Sequence, residues 1–348
     1  MISRLQLTTT EIQLIEQLLA NVSRQFTSPE DPAFLHDAVV ISHELPIRTR
    51  QFLNTFRLSE PSDAVVCVIS GYPINHTKIG PTPLGRGEKS DTDRTLQEQM
   101  LLVLFASLLG DPVAWSTQQA GHIIHDISPV KGQENDQTGS SSETELLFHT
   151  EDAFHPYRGD YLGMMCLRNY NQASTSIASN RALSMLTKEQ VKKLVQPCVF
   201  IKPDASQFEK HDFPDMAGLS TEVISEFIRY SDEKIKKMDD FPEAVPVLFG
   251  DPRSPYIRVD CPIYMDTLDD ETEDAIKALS DAFKQDQEDL TMSAGEICFI
   301  DNLRSVHGRN PFTPRYDGND RWLKRVNITR DIRKSRDMRI TDTSRIIF

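Results

Sequence analysis

The sequence predicts a mainly β protein with added α-helices, arranged as a sandwich or barrel. Short apolar or alternating runs, bounded by Pro, Gly, Asn and Asp, recur with irregular spacing through the second half of the 348 residues. These runs do not alternate regularly with helical patterns, which disfavours a doubly wound parallel sheet. Hydrophobic residues make up 39% of the chain, enough to build a hydrophobic core.

The individual elements follow from periodicity and from their flanking turn residues. Runs predicted as strands cover residues 64–70, 123–127, 146–149, 161–168, 256–260, 296–300 and 322–331. Helical periodicity covers residues 10–26, 96–109, 219–237 and 270–285. In the first helix, Thr10 and Gln13 are predicted to form a capping box. The polar stretch 131–145 is predicted as a long loop.

Charge and cysteine usage exclude several classes of function. The net charge of −14 argues against a nucleic-acid partner, because binding phosphates requires clustered Lys and Arg. Apolar stretches reach only about ten residues, too few to span a membrane, and the N-terminus lacks a signal-peptide pattern. The five scattered cysteines form no Cys-x-x-Cys pair, so we expect reduced core residues in a cytoplasmic protein. The oligomeric state stays open, and a homo-oligomer is one alternative.

A metal site is predicted at the end of the strand 146–149. His149 and Glu151 are two residues apart, so on an extended chain their side chains point to the same face and can meet one ion. Two histidines and one carboxylate on one face leave three positions open, as in non-haem Fe(II) oxygenases. A His-x-Glu pair alone occurs by chance, and a hydrogen-bonded structural pair is the alternative.

The third ligand must come from another segment. His155 is followed by a proline, while His122 and His125 lie on a predicted strand in opposite directions and are read as structural or solvated. His307 is the better candidate, because it follows the buried strand 296–300 in a polar context. Arg321 stands fourteen residues later, at the start of the next strand. A guanidinium there could fork the carboxylate of an anionic co-substrate.

With these residues in place, the chain resembles a known family. The segments that carry the resemblance are HTEDAFHPYR, DYLGMMCLRN and DNLRSVHGR followed by a late Arg. They are similar to the clavaminate synthase-like branch of the Fe(II)/2-oxoglutarate oxygenases, which includes hydroxylases of free arginine and free lysine. The resemblance covers residues 115–332 and implies a double-stranded β-helix (jelly-roll) core. It also implies Fe(II), 2-oxoglutarate and O₂ as cofactors and co-substrates.

The resemblance implies a role for each candidate residue at the metal and the two carboxylates. His149, Glu151 and His307 would hold the iron. Arg321 would pair with the distal carboxylate of 2-oxoglutarate. Arg325, four residues on and facing the same way, would hold the α-carboxylate of the amino acid.

Further residues would contact the rest of the amino acid. Gln118 or Gln119 would orient the α-amine together with Glu151, and Ser140 lies in the loop 138–141 that resembles the one under the substrate. Asp204 and Ser206 resemble the start of a lid. Asp260 resembles the acidic site for the far, cationic end.

The acidic site also suggests the substrate. Arginine hydroxylases of the family carry an Asp-x-Asp pair where this chain has Asp260-Cys261-Pro262. One carboxylate suits a compact ammonium better than a planar guanidinium. We therefore expect free L-lysine to be hydroxylated at C4 or C3, with succinate and CO₂ as by-products. The alternatives are an arginine hydroxylase or desaturase of the same family, and a catalytically silent jelly-roll binding protein.

A single oxygenase domain is expected over residues 1–348. Its helical N-terminal part would cover about 1–112, and the jelly-roll core about 113–332. The charged stretch 204–241 interrupts the strand series and is predicted to be a lid over the site.

Overall fold

The computed structural model describes residues 1–58, 64–84, 92–208 and 220–348. Its α-helices are α1 Thr9–Gln25, α2 Pro32–Ser42, α3 Ile47–Leu58, α4 His76–Ile79, α5 Leu96–Ser107, α6 Lys188–Leu194, α7 Thr221–Asp240 and α8 Asp270–Asp286. Its strands are β1 Ile2–Gln6, β2 Val66–Ser70, β3 Asp111–Trp115, β4 Ile124–Ile127, β5 Leu146–His149, β6 Tyr161–Arg168, β7 Thr175–Ser179, β8 Val199–Ile201, β9 Ala244–Val245, β10 Leu248–Phe249, β11 Tyr256–Ile257, β12 Met265–Thr267, β13 Glu288–Leu290, β14 Ile297–Asp301, β15 Ser305–Arg309, β16 Trp322–Thr329 and β17 Ile346–Ile347.

Two sheets make up the core. The large sheet has the strand order β1-β2-β14-β6-β16-β3-β17, and β4 also pairs with β16. The small sheet has the order β13-β7-β15-β5. Apolar residues of β2, β6, β14 and β16 share one buried cluster with Ile177 of β7 and Leu290 of β13. The sheets therefore pack face to face, and the predicted mainly β fold with added helices is confirmed.

Helices cover the outer faces of both sheets. Every residue of α5 from Glu98 to Ser107 is buried, because this helix lies between the large sheet and the helices α1 and α2. On the small sheet, α8 contributes a buried stripe that includes Leu279 and Phe283. The Phe283 ring contacts the ring of Phe148 on β5 at a centroid distance of 6.0 Å. The helix α8 therefore packs against β5, the strand that carries His149.

The seven predicted strands and four predicted helices all occur, with ends that differ by a few residues. The predicted capping box of α1 is wrong. Thr8, not Thr10, caps the helix: its hydroxyl accepts from the Glu11 amide at 3.3 Å, and Glu11 accepts from the Thr8 amide at 2.8 Å. A carboxylate three residues into the helix closes this box better than Gln13 could, because it also pairs with Arg48.

Several elements of the N-terminal part have no sequence prediction. The helix α2 has a readable start, since Asp31 accepts from the Ala33 amide at 2.8 Å and Pro32 occupies the first turn. The strand β1 pairs with β2, which itself pairs with β14. The N-terminal part is therefore not purely helical, because it extends the large sheet of the core.

Two further expectations can be compared with the structure. All five cysteines are buried and unpaired, as predicted. Across the described ranges of the chain, no helix is both long and apolar enough to cross a membrane.

Gly308 allows β15 to approach β5 closely. A Cβ at this position would lie 2.4 Å from the Leu146 carbonyl oxygen and 3.0 Å from Ser176 Oγ. Gly308→Ala is therefore expected to lower the free energy of unfolding by about 1–3 kcal/mol, and urea unfolding measures the loss. Gly139→Ala is the control, since its Cβ would meet only Ile127, at 3.6 Å. Equal stability of the two variants would contradict the close approach.

Candidate functional site

Three side chains converge as the sequence predicts, two from the neighbouring strands β5 and β15 and one from the turn after β5. Ligand atoms of His149, Glu151 and His307 all lie within 4.8 Å of one another. Glu151 Oε2 is 3.9 Å from His149 Nε2 and 3.3 Å from His307 Nε2. The three side chains are 17%, 9% and 7% exposed, so the cluster is accessible but largely removed from water. Two imidazoles and one carboxylate at this spacing form a donor set that fits Fe(II).

The sheet register places the two histidines. His307 on β15 lies directly opposite His149 on β5, and their ring centroids are 4.4 Å apart. His149 Nδ1 donates to the Leu147 carbonyl at 2.9 Å, which leaves Nε2 with its lone pair toward the cluster. Burial, followed by the charge of His307, lowers the pKa of His149. A neutral imidazole is the form that binds a metal.

The backbone around Glu151 is fixed on both sides. Asn302 Oδ1 accepts from the Glu151 amide at 2.7 Å, and Asn302 Nδ2 donates to the Glu151 carbonyl at 3.0 Å. The Thr150 amide donates to the Val259 carbonyl at 2.9 Å, and this bond brings Asp260 next to the triad. Asn302 has no sequence prediction beyond a turn. Its two bonds to Glu151 show that the turn before β15 positions the carboxylate.

Glu151 is ionised despite its burial. Burial raises its pKa, but Arg325 and the two histidines outweigh that effect and hold the pKa well below the usual range. Arg325 Nη1 donates to Glu151 Oε1, while Oε2 faces the histidines. One oxygen thus contacts a guanidinium and the other is directed at the metal position.

Arg325 links the triad to Gln118. Arg325 Nη2 lies 3.4 Å from Gln118 Oε1, and Gln118 Nε2 donates to Asp152 Oδ1. Burial, followed by the charge of Glu151, raises the pKa of Asp152 well above its ordinary value. Gln118 therefore has its carbonyl oxygen toward a cation and its amide toward a carboxyl. The second candidate, Gln119, is not part of this cluster, because it donates instead to the Asp126 carbonyl at 3.4 Å.

Arg321 is a buried cation with only 6% of its surface exposed. Burial lowers its pKa to about 10, and the side chain has no hydrogen bond or ion pair to any residue that the structure describes. Arg309 lies close enough for the Arg321 charge to help lower the pKa of Arg309 to about 10, after burial. Within the described part of the chain, Arg309 hydrogen bonds only to neutral oxygens, of Ser141 and Thr144. Two buried guanidinium groups without a described carboxylate partner suit a bound dianion.

Two further carboxylates, those of Asp260 and Asp204, lie near the triad. Burial raises the pKa of Asp260 to about 6, while the charge of His149 lowers it and that of Asp204 raises it further. Asp204 also acts on Asp152. The Asp204 and Asp260 carboxylates are therefore close enough to interact electrostatically. The sequence placed Asp204 among the substrate-binding residues as the start of a lid, but nothing in the chain order shows that it comes near Asp260.

The other predicted residues are placed less directly. Ser140 hydrogen bonds within its own loop, to Gln133 at 2.8 Å and to Thr138 at 2.9 Å. The Ser206 side chain lies outside the described residues, as do residues 209–219 of the predicted lid. Of the rest of this stretch, Gln207 Oε1 accepts from Thr117 at 2.5 Å, next to Gln118. The lid function stays a prediction.

The fold and the site together define a class of protein. A metal held on one face by two histidines and one carboxylate keeps coordination positions open, and this is the signature of non-haem Fe(II) oxygenases. The profile of the family described as taurine catabolism dioxygenase TauD, TfdA family matches residues 97–327, and the chain belongs to this family.

Relatives of known activity narrow the class. The chain is 39% identical to the enduracididine beta-hydroxylase of Streptomyces hygroscopicus over 99% of both chains. It is 38% identical to the L-ornithine/L-arginine 3-hydroxylase of Catenulispora acidiphila, again over 99% of both. The L-lysine hydroxylases among the matches are more distant, at 24% to 27% identity.

A solved structure matches the whole fold. The non-heme iron oxygenase OrfP in complex with Fe, succinate and (3S)-hydroxy-L-Arg has a TM-score of 0.89 and 35% identity, with 99% of each chain covered. The predicted jelly-roll core and the dependence on iron and 2-oxoglutarate are confirmed by these matches. The chain is an Fe(II)/2-oxoglutarate-dependent amino acid hydroxylase.

Proposed function

We propose that this enzyme hydroxylates C3 of a free, cationic amino acid that carries a guanidino group, with L-arginine as the reference substrate. The observation that carries the proposal is the buried carboxylate of Asp260 beside His149, with the charge of Asp204 near enough to raise the pKa of Asp260 further. A planar guanidinium offers donors in a fork that two carboxylates can share. Similarity to two hydroxylases that act at the β or 3 position supports C3 as the site of reaction.

The lysine prediction rests on a single carboxylate, and it remains unconfirmed. Asp260 does lack a second Asp two residues later, but the charge of Asp204, from a distant segment, raises the pKa of Asp260 and so acts on the same site. The number of acidic groups near the substrate therefore cannot be read from the spacing of Asp residues within one strand. This geometry and the greater distance of the lysine hydroxylases favour an arginine-type substrate.

Different residues around the triad bind 2-oxoglutarate and the amino acid. Fe(II) is held by His149, Glu151 and His307, and the distal carboxylate of 2-oxoglutarate pairs with Arg321. Arg325 holds the α-carboxylate of the amino acid. This division assigns the cationic end and the α-carboxylate of the amino acid to different groups, which suits an extended substrate.

The contacts of Arg325 and Gln118 orient the head of the amino acid. Gln118 Oε1 already accepts from Arg325, and a second lone pair on that oxygen is available to the α-amine. Iron supplies the activation of O₂ when it is bound, and 2-oxoglutarate is converted to succinate and CO₂ as the substrate gains one oxygen. The buried side chains position the substrate and limit its contact with water.

A product screen tests the proposal against its rivals. The iron-loaded enzyme is incubated with 2-oxoglutarate, O₂ and each of arginine, ornithine and lysine, and products are analysed by mass spectrometry and NMR. We expect a gain of one oxygen at C3 of arginine. A preference for lysine would restore the earlier prediction, and no succinate with any amino acid would favour a silent binding protein.

Loss of one acidic side chain is expected to weaken substrate binding selectively. Asp260→Asn removes one charge, but Asp204 remains, so we expect the KM for arginine to rise about ten-fold to a hundred-fold. The KM for 2-oxoglutarate should stay unchanged. Asp266→Asn is the control, since Asp266 is exposed and forms a surface ion pair with Lys202 at 2.7 Å. An unchanged KM for arginine would remove Asp260 from the site.

A further inference from the structure

His125, which the sequence left as structural or solvated, contacts the proposed anchor of the amino acid. His125 lies on β4, opposite Arg325 on β16, and is only 2% exposed. Its Nδ1 is 2.7 Å from Arg325 Nη2, and its Nε2 is 2.8 Å from the His122 carbonyl oxygen. Both ring nitrogens are therefore engaged, one by a group that can only donate and the other by a group that can only accept.

These two contacts fix the protonation of the ring. A guanidinium has no lone pair to offer, so Nδ1 must accept from it. A carbonyl has no proton to offer, so Nε2 must carry the hydrogen. The only form of imidazole that satisfies both is the neutral tautomer with hydrogen on Nε2. Burial, followed by the charge of Arg325, lowers the pKa of His125 well below its usual value, which agrees with this assignment.

A neutral acceptor at position 125 affects the binding of an α-carboxylate by Arg325 differently from a carboxylate at the same position. The first carboxylate partner of Arg325 is Glu151, which is also directed at the metal. A second carboxylate would leave Arg325 with two anionic partners, and an incoming α-carboxylate would meet like charge. An uncharged nitrogen holds the guanidinium in place while adding no negative charge.

We propose that His125 is a positioning residue that orients Arg325 toward the α-carboxylate of the amino acid through an uncharged nitrogen. The inference rests on the proposed role of Arg325 and deepens it. It implies that the enzyme requires a neutral hydrogen-bond acceptor at position 125, rather than simply a residue of the right size.

Two isosteric variants separate charge from shape. His125→Asn keeps a neutral acceptor near the position of Nδ1, whereas His125→Asp differs from it by one negative charge. The Kd of arginine is measured anaerobically with Fe(II) and 2-oxoglutarate present, so that no turnover occurs. We expect the Asp variant to bind arginine at least about ten-fold more weakly than the Asn variant. The KM for 2-oxoglutarate should be the same in both, since Arg321 is not contacted.

A third variant tests the acceptor itself. His125→Leu fills the buried space but leaves Arg325 Nη2 without this partner, and we expect the Kd of arginine to rise about ten-fold relative to His125→Asn. His122→Gln is the matched control, because it changes a side chain that contacts Glu30 at 2.7 Å and keeps the carbonyl that His125 uses. Thermal unfolding of each variant identifies losses that arise from misfolding.

The outcomes distinguish failure of this inference from failure of the proposed function. Equal Kd values for arginine in the Asn, Asp and Leu variants would overturn the role of His125. Arg325→Met is measured alongside them. If that variant also binds arginine normally, the proposed role of Arg325 is wrong. If it binds arginine weakly while the three His125 variants remain alike, only the inference about His125 falls.

Discussion

Replacing His307 by alanine is expected to reduce turnover by more than about a hundred-fold and to weaken Fe(II) binding. Loss of an outer partner of a metal ligand already costs roughly ten-fold to a hundred-fold, and loss of the ligand itself costs more. His307 Nε2 lies 3.3 Å from Glu151 Oε2, so its removal takes away one of three converging donors. Product formation by mass spectrometry and Fe(II) binding by anaerobic equilibrium dialysis measure the two effects.

A second buried histidine provides the control for this variant. His155 is 3% exposed and accepts from Trp115 Nε1 at 3.2 Å, but it is not part of the cluster of ligand atoms. His155→Asn is expected to affect stability while Fe(II) binding stays normal. We expect His149→Ala and Glu151→Ala to behave like His307→Ala. Near-normal turnover by any one of the three would exclude that residue as a ligand.

Replacing Arg321 by leucine is expected to raise the KM for 2-oxoglutarate about 30-fold to several thousand-fold. This range corresponds to the roughly 2–5 kcal/mol that loss of a buried charge partner costs. The guanidinium is buried, and its pKa of about 10 keeps it charged at neutral pH. A leucine is shorter than arginine and keeps only the apolar part of the side chain, so it leaves the distal carboxylate of the co-substrate without a partner. Steady-state kinetics at saturating amino acid measure the change.

Two comparisons make the Arg321 result specific. Arg321→Lys keeps the charge but loses the planar fork, so its KM should lie between those of the native enzyme and the leucine variant. Arg325→Leu should raise the KM for the amino acid instead. If Arg321→Leu leaves the KM for 2-oxoglutarate unchanged and raises that for the amino acid, the two arginines have exchanged roles.

The metal site was predictable because its signals are local. His149 and Glu151 share one face through the two-residue period of an extended chain, which requires no knowledge of the fold. His307 was found by its context after a buried strand, and the register of β15 against β5 then explains how it reaches His149. Arg321 was found in the same way, because a charged residue that opens an apolar strand is conspicuous.

The surroundings of the site were predicted less well. Gln118 and Gln119 could not be separated by sequence, since the backbone turns through a positive φ of 42° at Gln119 and sends the two side chains to different partners. In the sequence, His125 could not be distinguished from other strand residues, because only the pairing of β4 with β16 brings it opposite Arg325. Asn302 looked like a turn former, and only the fold brings it to Glu151.

The sequence by itself predicted the class of fold, the cluster of two histidines and one glutamate, and the arginine proposed for the co-substrate. Each of these depends on strand periodicity or on neighbours a few residues away, and such short-range geometry is nearly independent of context. Tertiary structure decided which charged groups lie near the metal cluster. Asp204 comes near enough to influence Asp260, and His125 contacts Arg325, only through sheet pairing and loop packing between segments far apart in the chain. The strength of a charge interaction depends on distance and burial rather than on sequence order.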